Sequence, residues 1–220
     1  MSSESTDLDT AASSASPEEI AALPEPTGEV AALIAVQDAV ADRPGVRPAA
    51  RGLSHFGEHS LGWLAVGAIG WASARRRGDT DAQRKWIEAG VGAFGAHAAS
   101  VIIKRIVRRR RPSDPRITVG VSTPSRLSFP SSHATSTTAA AILIGRAAGA
   151  PPLLIPGILV PPMLLSRLVL GVHYPSDVAA GAGIGAASAA AVVAGDKVLL
   201  GRVTRNRVGT SRFAGNREKA

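Results

Sequence analysis

Residues 117–195 of this 220-residue chain contain only four charged side chains, and this sparsity constrains the fold more than any other feature. The four are Arg126, Arg146, Arg167 and Asp177. About a quarter of the residues in an average soluble domain are charged, so the segment is typical of helices that cross a bilayer. The chain also has no cysteine, which excludes a disulfide framework, a thiolate-ligated metal site and a thiol nucleophile.

Five uncharged stretches, each bounded by charge, reach the length of a membrane span or nearly so when interfacial flanks are added. They are 59–74, 89–103, 127–145, 147–166 and 178–195. The sequence therefore predicts an all-α fold, a polytopic membrane bundle of about five transmembrane helices preceded by an N-terminal interfacial helix.

The composition of three of these stretches indicates how they pack. The third and fifth are built from Ala, Gly, Ser and Thr, and Gly181 and Gly185 form a small-residue pattern that lets helices approach closely. We expect these two helices to face protein rather than lipid. The fourth should begin late and kink, because proline removes a backbone donor and clashes one turn back. Its prolines are Pro151, Pro152, Pro156, Pro161 and Pro162.

The flanking segments differ in charge from this domain. Residues 1–28 are polar and lack aromatic side chains, so we expect a disordered acidic tail. Residues 29–50 repeat apolar residues at helical spacing but carry acids, which predicts one amphipathic helix on the membrane surface. The membrane domain then covers 51–200, and 201–220 form a basic tail.

The first cluster of polar residues ends the second stretch, where Lys104 is followed by a run of arginines up to Arg111 and by Pro112. Spacings of four and three place Lys104, Arg108 and Arg111 on one helical face, where they could converge on one anion. A polybasic stop beside the membrane explains the same residues.

The second cluster, Phe129-Pro-Ser-Ser-His133, opens the third stretch. Ser131 and Ser132 at a helix N-terminus supply hydroxyls, free backbone N–H groups and the positive end of the helix dipole, and so form an anion cradle with His133 at its edge. An ordinary N-cap beside an interfacial histidine is the alternative.

The third cluster joins the fourth and fifth stretches and contains Ser166, Arg167, His173, Pro175 and Asp177. Because His173 and Asp177 are four residues apart and Pro175 suits a first helical turn, the carboxylate can reach one imidazole nitrogen. The other nitrogen then keeps a free lone pair and can act as a nucleophile. A capping Asp beside a chance histidine is the alternative.

Counting spans places all three clusters on one membrane face. Two histidines, three basic side chains and a helix N-terminus on one face suit phosphoryl transfer, which needs charge neutralisation, an in-line nucleophile and a proton for the leaving oxygen. This set of residues requires no metal.

These residues resemble the type 2 phosphatidic acid phosphatase superfamily, whose motifs are K-x6-R-P, P-S-G-H and S-R-x5-H-x3-D. The first and third motifs match at full spacing, and the second matches except that Ser132 replaces glycine. The resemblance covers about residues 50–200. It implies that His173 is the nucleophile that forms a phosphohistidine, that Asp177 orients it, and that His133 protonates the leaving alkoxide. It also implies that the phosphoryl oxygens are held by Lys104, Arg111, Arg167, Ser131 and Ser132.

Residues 51–59 and 127–138 are further similar to the actinobacterial subfamily of decaprenylphosphoryl-5-phosphoribose phosphatases. This similarity implies a polyprenyl-linked phospholipid substrate, the 5-phosphate as the group removed, and decaprenylphosphoryl ribose for cell-wall arabinan as the product. Substrate-headgroup candidates are His55, Glu58, His59 and Arg108, although ordinary interfacial polar residues explain the first three. No cofactor, metal, nucleic acid or obligate protein partner is implied.

Two further readings stay open. Within the same class, the substrate could be a polyprenyl diphosphate or phosphatidylglycerol phosphate. In another class, the net charge of +8 fits a non-catalytic membrane protein that binds anionic lipid or nucleic acid by charge. Thirteen of the 25 basic residues fall on the side of the C-terminal tail, and three of the other twelve belong to the site, which favours a cytoplasmic C-terminus, a plasma-membrane location and an outward-facing site.

Overall fold

A computed structural model describes residues 16–215, with Pro17 and residues 200–215 described by their backbone alone. This part of the chain is helical and contains no β-strand, only an isolated bridge between Arg110 and Leu127. The predicted all-α fold is thereby confirmed.

The described residues contain eight α-helices and one 3-10 turn, Glu58–Ser60. In chain order the helices are α1 Pro17–Ala21, α2 Gly28–Val40, α3 Val46–Gly57, α4 Leu61–Arg76, α5 Thr80–Val107, α6 Ser132–Ala147, α7 Leu154–Val169 and α8 Pro175–Gly215. The five uncharged stretches fall on α4 to α8 in order. Helix α7 begins late, at Leu154, as expected from its first prolines, and it carries Pro161 and Pro162 inside the helix.

Helix α6 is the centre of the bundle. It packs against α3, α4, α5, α7 and α8, and most of its residues are buried. Because its side chains are small, the neighbouring helices approach it closely on several sides. The expectation that the third uncharged stretch faces protein is confirmed.

Helix α8 meets α6 along a stripe of small residues, Gly181, Gly185 and Ala189, all of them buried. A Cβ atom on Gly185 would lie 2.3 Å from the carbonyl oxygen of Thr135, and one on Gly181 would lie 2.7 Å from that of Ser131. The predicted close approach is confirmed. The expectation that the fifth stretch faces protein as a whole is wrong, because only 22 % of the apolar 18-residue window within Pro175–Leu199 is buried. One face suffices for packing, and the rest is exposed.

The N-terminal segment 29–50 forms two helices, α2 and α3, rather than the one helix that was predicted. Pro44 lacks a backbone donor, and Gly45 adopts a left-handed conformation with φ +83°, which turns the chain between them. Both helices pack on α7. Helix α3 runs through residue 51, where the membrane domain was expected to begin.

The two predicted tails are only partly within the described residues. Residues 1–15 and 216–220 lie outside them. Inside the expected N-terminal tail, α1 is capped by a reciprocal pair of bonds between Ser16 and Glu19. Inside the expected C-terminal tail, the backbone of α8 continues as a helix to Gly215.

At the end of the bundle where α5 begins and α6 ends, two arginines and two acids form an ion-pair network. Arg84 and Arg146 each contact both Glu88 and Asp196. The Asp196 side chain is only 4 % exposed, so its charge depends on these partners. The network joins α5, α6 and α8.

Two helices, α5 and the Pro175–Leu199 part of α8, are long and apolar enough to cross a membrane by length and composition. Large apolar side chains are exposed along the bundle, including Ile69, Val91, Ile102 and Ile158. An exposed apolar surface of this kind is stable in contact with lipid.

The Gly185→Ala substitution should destabilise the protein by about 1–3 kcal/mol, because the new methyl group overlaps the backbone of α6. Thermal unfolding in detergent measures this. The matched control is Gly183→Ala on the same helix, where a Cβ meets nothing within 4 Å. Equal stability of the two variants would contradict the close packing.

Candidate active site

The three clusters meet at the end of the bundle opposite the ion-pair network. Lys104 lies in the last turn of α5, Ser131 caps the N-terminus of α6, Arg167 lies in the last turn of α7, and Asp177 lies in the first turn of α8. The backbone N–H of Ser131 donates to the carbonyl of Asp177 at 3.0 Å, which ties the second cluster directly to the third. The convergence expected from the order of the spans is therefore observed.

Lys104 is 8 % exposed, and its ammonium group contacts three backbone carbonyls. Its Nζ lies 3.1 Å from the oxygen of Leu127, 3.2 Å from that of Ser128 and 3.1 Å from that of Pro130. An ammonium group has three protons, so these carbonyls use all its donors. Lys104 thus fixes the loop before α6 and adds positive charge to the site. Its direct contact with a phosphoryl oxygen, which the resemblance implies, stays a prediction.

Arg111 reaches the site from the loop that follows α5. Its Nε donates to the Ser125 carbonyl at 2.8 Å, and its Nη1 donates to the Val172 carbonyl at 2.6 Å and lies 3.3 Å from His173 Nε2. Burial lowers the pKa of Arg111 to about 10, so it remains charged at neutral pH. Its Nη2 makes no hydrogen bond within the described part of the chain, so this nitrogen keeps donors that an anion could accept.

The predicted common helical face of Lys104, Arg108 and Arg111 is wrong. Helix α5 ends at Val107, and Arg108 has the left-handed φ of 56°. This turn redirects the chain, so Arg108 is exposed while Arg111 enters the site through the loop.

Arg167 is 2 % exposed, and among the described residues its Nε and Nη1 have no hydrogen-bond partner. A buried guanidinium without partners is costly, since its charge has lost water and gained no acceptor. An oxyanion bound beside it would supply the missing acceptors. This side chain marks the place for an anionic group.

His173 lies in the short connection between α7 and α8 and is 2 % exposed. Its Nδ1 is 3.6 Å from Asp177 Oδ2, and its Nε2 faces Arg111. Burial, together with Arg111, Arg167, Lys104 and His133, holds the pKa of His173 well below the usual 6.5. The imidazole is therefore neutral at physiological pH, as a nitrogen nucleophile must be.

Asp177 is fully buried and is held by two groups besides His173. Its Oδ2 accepts the backbone N–H of Tyr174 at 2.8 Å, and its Oδ1 accepts from Arg109 Nη1 at 3.0 Å. Arg109 could not be predicted from the sequence, because four consecutive arginines look alike and only the backbone turn at Arg108 determines which one points to Asp177.

Ser131 and Ser132 have different roles at the start of α6. The Ser131 hydroxyl accepts the N–H of Ala134 as an N-cap. The Ser132 hydroxyl lies 2.7 Å from Ser100 Oγ on α5, and Ser100 Oγ is also 2.6 Å from the His97 carbonyl. The side chain at the family's glycine position thus joins α6 to α5.

His133 contacts the C-terminal segment of α3. Its Nε2 is 2.9 Å from the Ser54 carbonyl, and because a carbonyl only accepts, Nε2 carries a proton. His133 Nδ1 is then the nitrogen available for proton exchange. A Cβ on Gly57 would lie 2.7 Å from the His133 ring, so this segment covers the imidazole closely. No sequence pattern indicated the Ser54 contact.

The headgroup candidates other than Arg108 lie at the end of α3 and in the turn that follows it. His55, Glu58 and His59 are exposed, and Glu58 lies 3.9 Å from the nearest nitrogen of each histidine. His59 faces His97 of α5 across 6.0 Å between ring centroids, a neighbour that the sequence analysis did not single out.

No group of three or more His, Asp or Glu side chains that could hold a metal ion is found within residues 16–215. The residues at the site are mostly cations, and they suit an anion.

A sequence profile of the PAP2 superfamily matches residues 85–197, which include all three clusters. The chain belongs to the PAP2 superfamily. A relative from Mycobacterium tuberculosis strain H37Rv, named decaprenylphosphoryl-5-phosphoribose phosphatase, is 59% identical over 167 residues, covering 76% of this chain and 90% of the relative. A relative of the same name from Mycolicibacterium smegmatis is 60% identical over 156 residues, covering 71% and 82%.

Two solved structures share the PAP2 fold. A transmembrane PAP2-type phosphatidylglycerolphosphate phosphatase from Bacillus subtilis aligns with TM-score 0.58 and 20% identity over 76% of this chain and 85% of that one. A bacterial vanadium-dependent iodoperoxidase aligns with TM-score 0.57 and 16% identity over 80% and 52%. With the PAP2 match and the apolar helices, these likenesses identify this chain as a membrane protein with a phosphatase fold.

Replacing Ser132 by the family's glycine should leave turnover within about threefold, because its hydroxyl binds Ser100 on α5, and should lower stability by about 1 kcal/mol. Ser100→Ala should cost a similar amount. The double variant should cost less than the sum of the two, since both remove one hydrogen bond. Strict additivity in thermal unfolding would contradict the contact.

Proposed function

We propose that this PAP2 phosphatase removes the 5-phosphate of decaprenylphosphoryl-5-phosphoribose, giving decaprenylphosphoryl ribose for cell-wall arabinan, through a phosphohistidine on His173. The name and identity of the mycobacterial relatives support the substrate. The observation that carries the mechanism is the buried His173, which lies between the Asp177 carboxylate and the guanidinium of Arg111.

The first chemical step forms a bond between His173 Nε2 and phosphorus while the bond from phosphorus to the ribose 5-oxygen breaks. Nδ1 of His173 carries the proton, and Asp177 opposite it stabilises the positive charge that develops on the ring. Arg111, Arg167 and the N-terminus of α6, with Ser131 and the backbone N–H of Ser132, receive the phosphoryl oxygens. Lys104 contributes charge and holds the loop.

His133 supplies the proton that the leaving ribose oxygen needs. Because Nε2 keeps its proton in the bond to the Ser54 carbonyl, the reacting form of His133 is the imidazolium, whose second proton, on Nδ1, passes to the alkoxide. In the second step His133 takes a proton from water, which attacks phosphorus and releases inorganic phosphate from His173. Every proton and charge is handled by the residues of the chain, so the reaction should proceed in EDTA.

The substrate carries a second negative charge, on the phosphodiester between ribose and decaprenol. Near the end of α3 that contacts His133, the side chains of His55, His59 and His97 can donate hydrogen bonds to this phosphodiester. Glu58 can accept hydrogen bonds from the ribose hydroxyls. Arg108, exposed at the rim, adds a further cation. These residues form the proposed headgroup subsite.

We further propose that α4 to α8 cross the plasma membrane and that the site faces outwards. The basic residues near α5's first turn and in the C-terminal segment favour the cytoplasm for the opposite end. The exposed apolar side chains along the bundle support burial in lipid.

Purified protein in detergent and EDTA should release phosphate from decaprenylphosphoryl-5-phosphoribose in preference to phosphatidic acid, phosphatidylglycerol phosphate and undecaprenyl diphosphate. His173→Ala should lower kcat by at least about 10⁴-fold, because it removes the nucleophile. His59→Asn should raise KM for the phosphoribosyl lipid and leave KM for phosphatidic acid unchanged, since phosphatidic acid lacks the second charge.

The other outcomes of this assay separate the alternatives. Preference for phosphatidylglycerol phosphate or undecaprenyl diphosphate would replace the substrate and keep the mechanism. Folded protein that releases no phosphate from any of the four lipids would favour the non-catalytic protein that binds anionic lipid.

Orientation can be tested with single cysteines because the natural chain has none. The Ser113→Cys variant, near the site, should react with a membrane-impermeant maleimide in intact cells. The Ala148→Cys variant, at the opposite end, should react only after permeabilisation. The reverse pattern would place the site in the cytoplasm.

A further inference from the structure

Arg109 joins three elements at the N-terminus of α8. Its Nη1 donates to Ser176 Oγ at 2.6 Å and to Asp177 Oδ1 at 3.0 Å, while its Nη2 donates to Glu29 Oε2. Its guanidinium carbon also lies 4.1 Å from the centroid of the Tyr174 ring. The guanidinium is therefore held at one edge by Asp177, at another edge by Glu29 and on one face by the Tyr174 ring.

Glu29 completes this arrangement from the first turn of α2. While its Oε2 accepts from Arg109, its Oε1 accepts the backbone N–H of Ser176 at 2.8 Å. Partial burial would raise the pKa of Glu29, but the bonds from Ser176 and Arg109 outweigh it and keep the pKa below the usual 4.5. Glu29 is therefore ionised at neutral pH and binds both Arg109 and the start of α8.

The Asp177 carboxylate cannot hold His173 by itself. The distance from His173 Nδ1 to Asp177 Oδ2 is 3.6 Å, which is too long for a strong hydrogen bond. A small rotation of the carboxylate would change this contact, and the groups that oppose rotation are the Tyr174 N–H on one oxygen and Arg109 on the other.

We propose that Arg109 and Glu29 are positioning residues for the phosphatase reaction, which hold the Asp177 carboxylate against His173 and make helix α2 part of the active site. This inference rests on the proposed phosphohistidine mechanism. Glu29 lies outside residues 85–197, the part that matches the PAP2 profile, so the site is larger than the family's motifs.

Arg109 should affect the basicity of His173 as well as its geometry. A cation bound to Asp177 offsets part of the negative charge that the imidazole faces. Removing it should raise the pKa of His173 and move the acid limb of kcat/KM to higher pH. The substitution of Arg109 leaves the other charged or titratable groups that face His173 unchanged. These groups are Lys104 on α5, Arg111 in the loop, His133 on α6 and Arg167 on α7.

Three variants test the proposal. Arg109→Met should lower kcat by about 100-fold through misplacement of the nucleophile, and KM should change less than about threefold because Arg109 does not contact the phosphate. Arg109→Lys keeps the charge without the forked geometry, so it should restore the acid limb and part of kcat. Glu29→Gln should lower kcat by a smaller factor with the same KM.

Matched controls are exposed residues beside each target. Arg110→Met removes the next arginine of the run, and Asp38→Asn removes an acid on α2. Both should retain wild-type kcat and acid limb.

The pKa of His173 should also be measured without turnover, by NMR of histidine-labelled protein in micelles, with the His173→Ala variant assigning the signal. A higher pKa in Arg109→Met than in wild type is the expected result. An unchanged pKa, or a kcat loss fully explained by less folded protein, would overturn the proposal. Absence of phosphate release by wild type would instead refute the proposed function, while the NMR comparison would still test the Arg109 contact.

Discussion

Concentrated positive charge in a water-poor site is the constraint on which the rest of this structure depends. Lys104, Arg111 and Arg167 are all wholly or partly buried around one imidazole. Charges placed in this way repel one another and lose hydration, so the fold must hold them by other means. Backbone carbonyls do so for Lys104 and Arg111, whereas Arg167 keeps unpaired nitrogens for a ligand. Affinity for a phosphate group follows from this imbalance.

The small residues of α6 and α8 make such a site possible. Their close approach brings the Ser131 N–H to the Asp177 carbonyl, so the N-terminus of α6 and the residue whose carboxylate faces His173 are joined by one backbone bond. At the opposite end, α5, α6 and α8 are held by paired charges of both signs. The same three helices are thus tied by neutral contacts near the site and by charge pairs at the opposite end, while the buried guanidinium of Arg167, which has nitrogens without partners among the described residues, lies at the site.

The sequence was informative where the chemistry is local and uninformative where it depends on backbone direction. His173 and Asp177 are four residues apart, and Ser131 precedes a helix, so both features were predictable from spacing. The end of α5 at Val107 was not predictable, because Arg108 adopts a left-handed conformation although it is neither glycine nor asparagine. Had the helix continued, Arg108 would lie on the same face as Lys104, whereas in the structure it is exposed. The three carbonyls that accept from the Lys104 ammonium group belong to the loop before α6, and the path of this loop cannot be read from residue spacing. Contacts across 80 residues, such as that of Glu29 with Arg109, are likewise invisible in a single sequence.

The contact between Glu29 and the start of α8 bears on how a protein of this kind can be divided or recombined. Every motif residue lies between Lys104 and Asp177, and a fragment beginning after α3 would retain all of them. Such a fragment would lose the acid that balances Arg109, the Gln37 side chain that bonds the Thr118 and Val169 carbonyls, and the carbonyl that orients His133. The smallest transferable unit of this phosphatase is therefore set by hydrogen bonding rather than by motif boundaries, and chimaeras with other members of the superfamily need to exchange the N-terminal helices together with the catalytic loops.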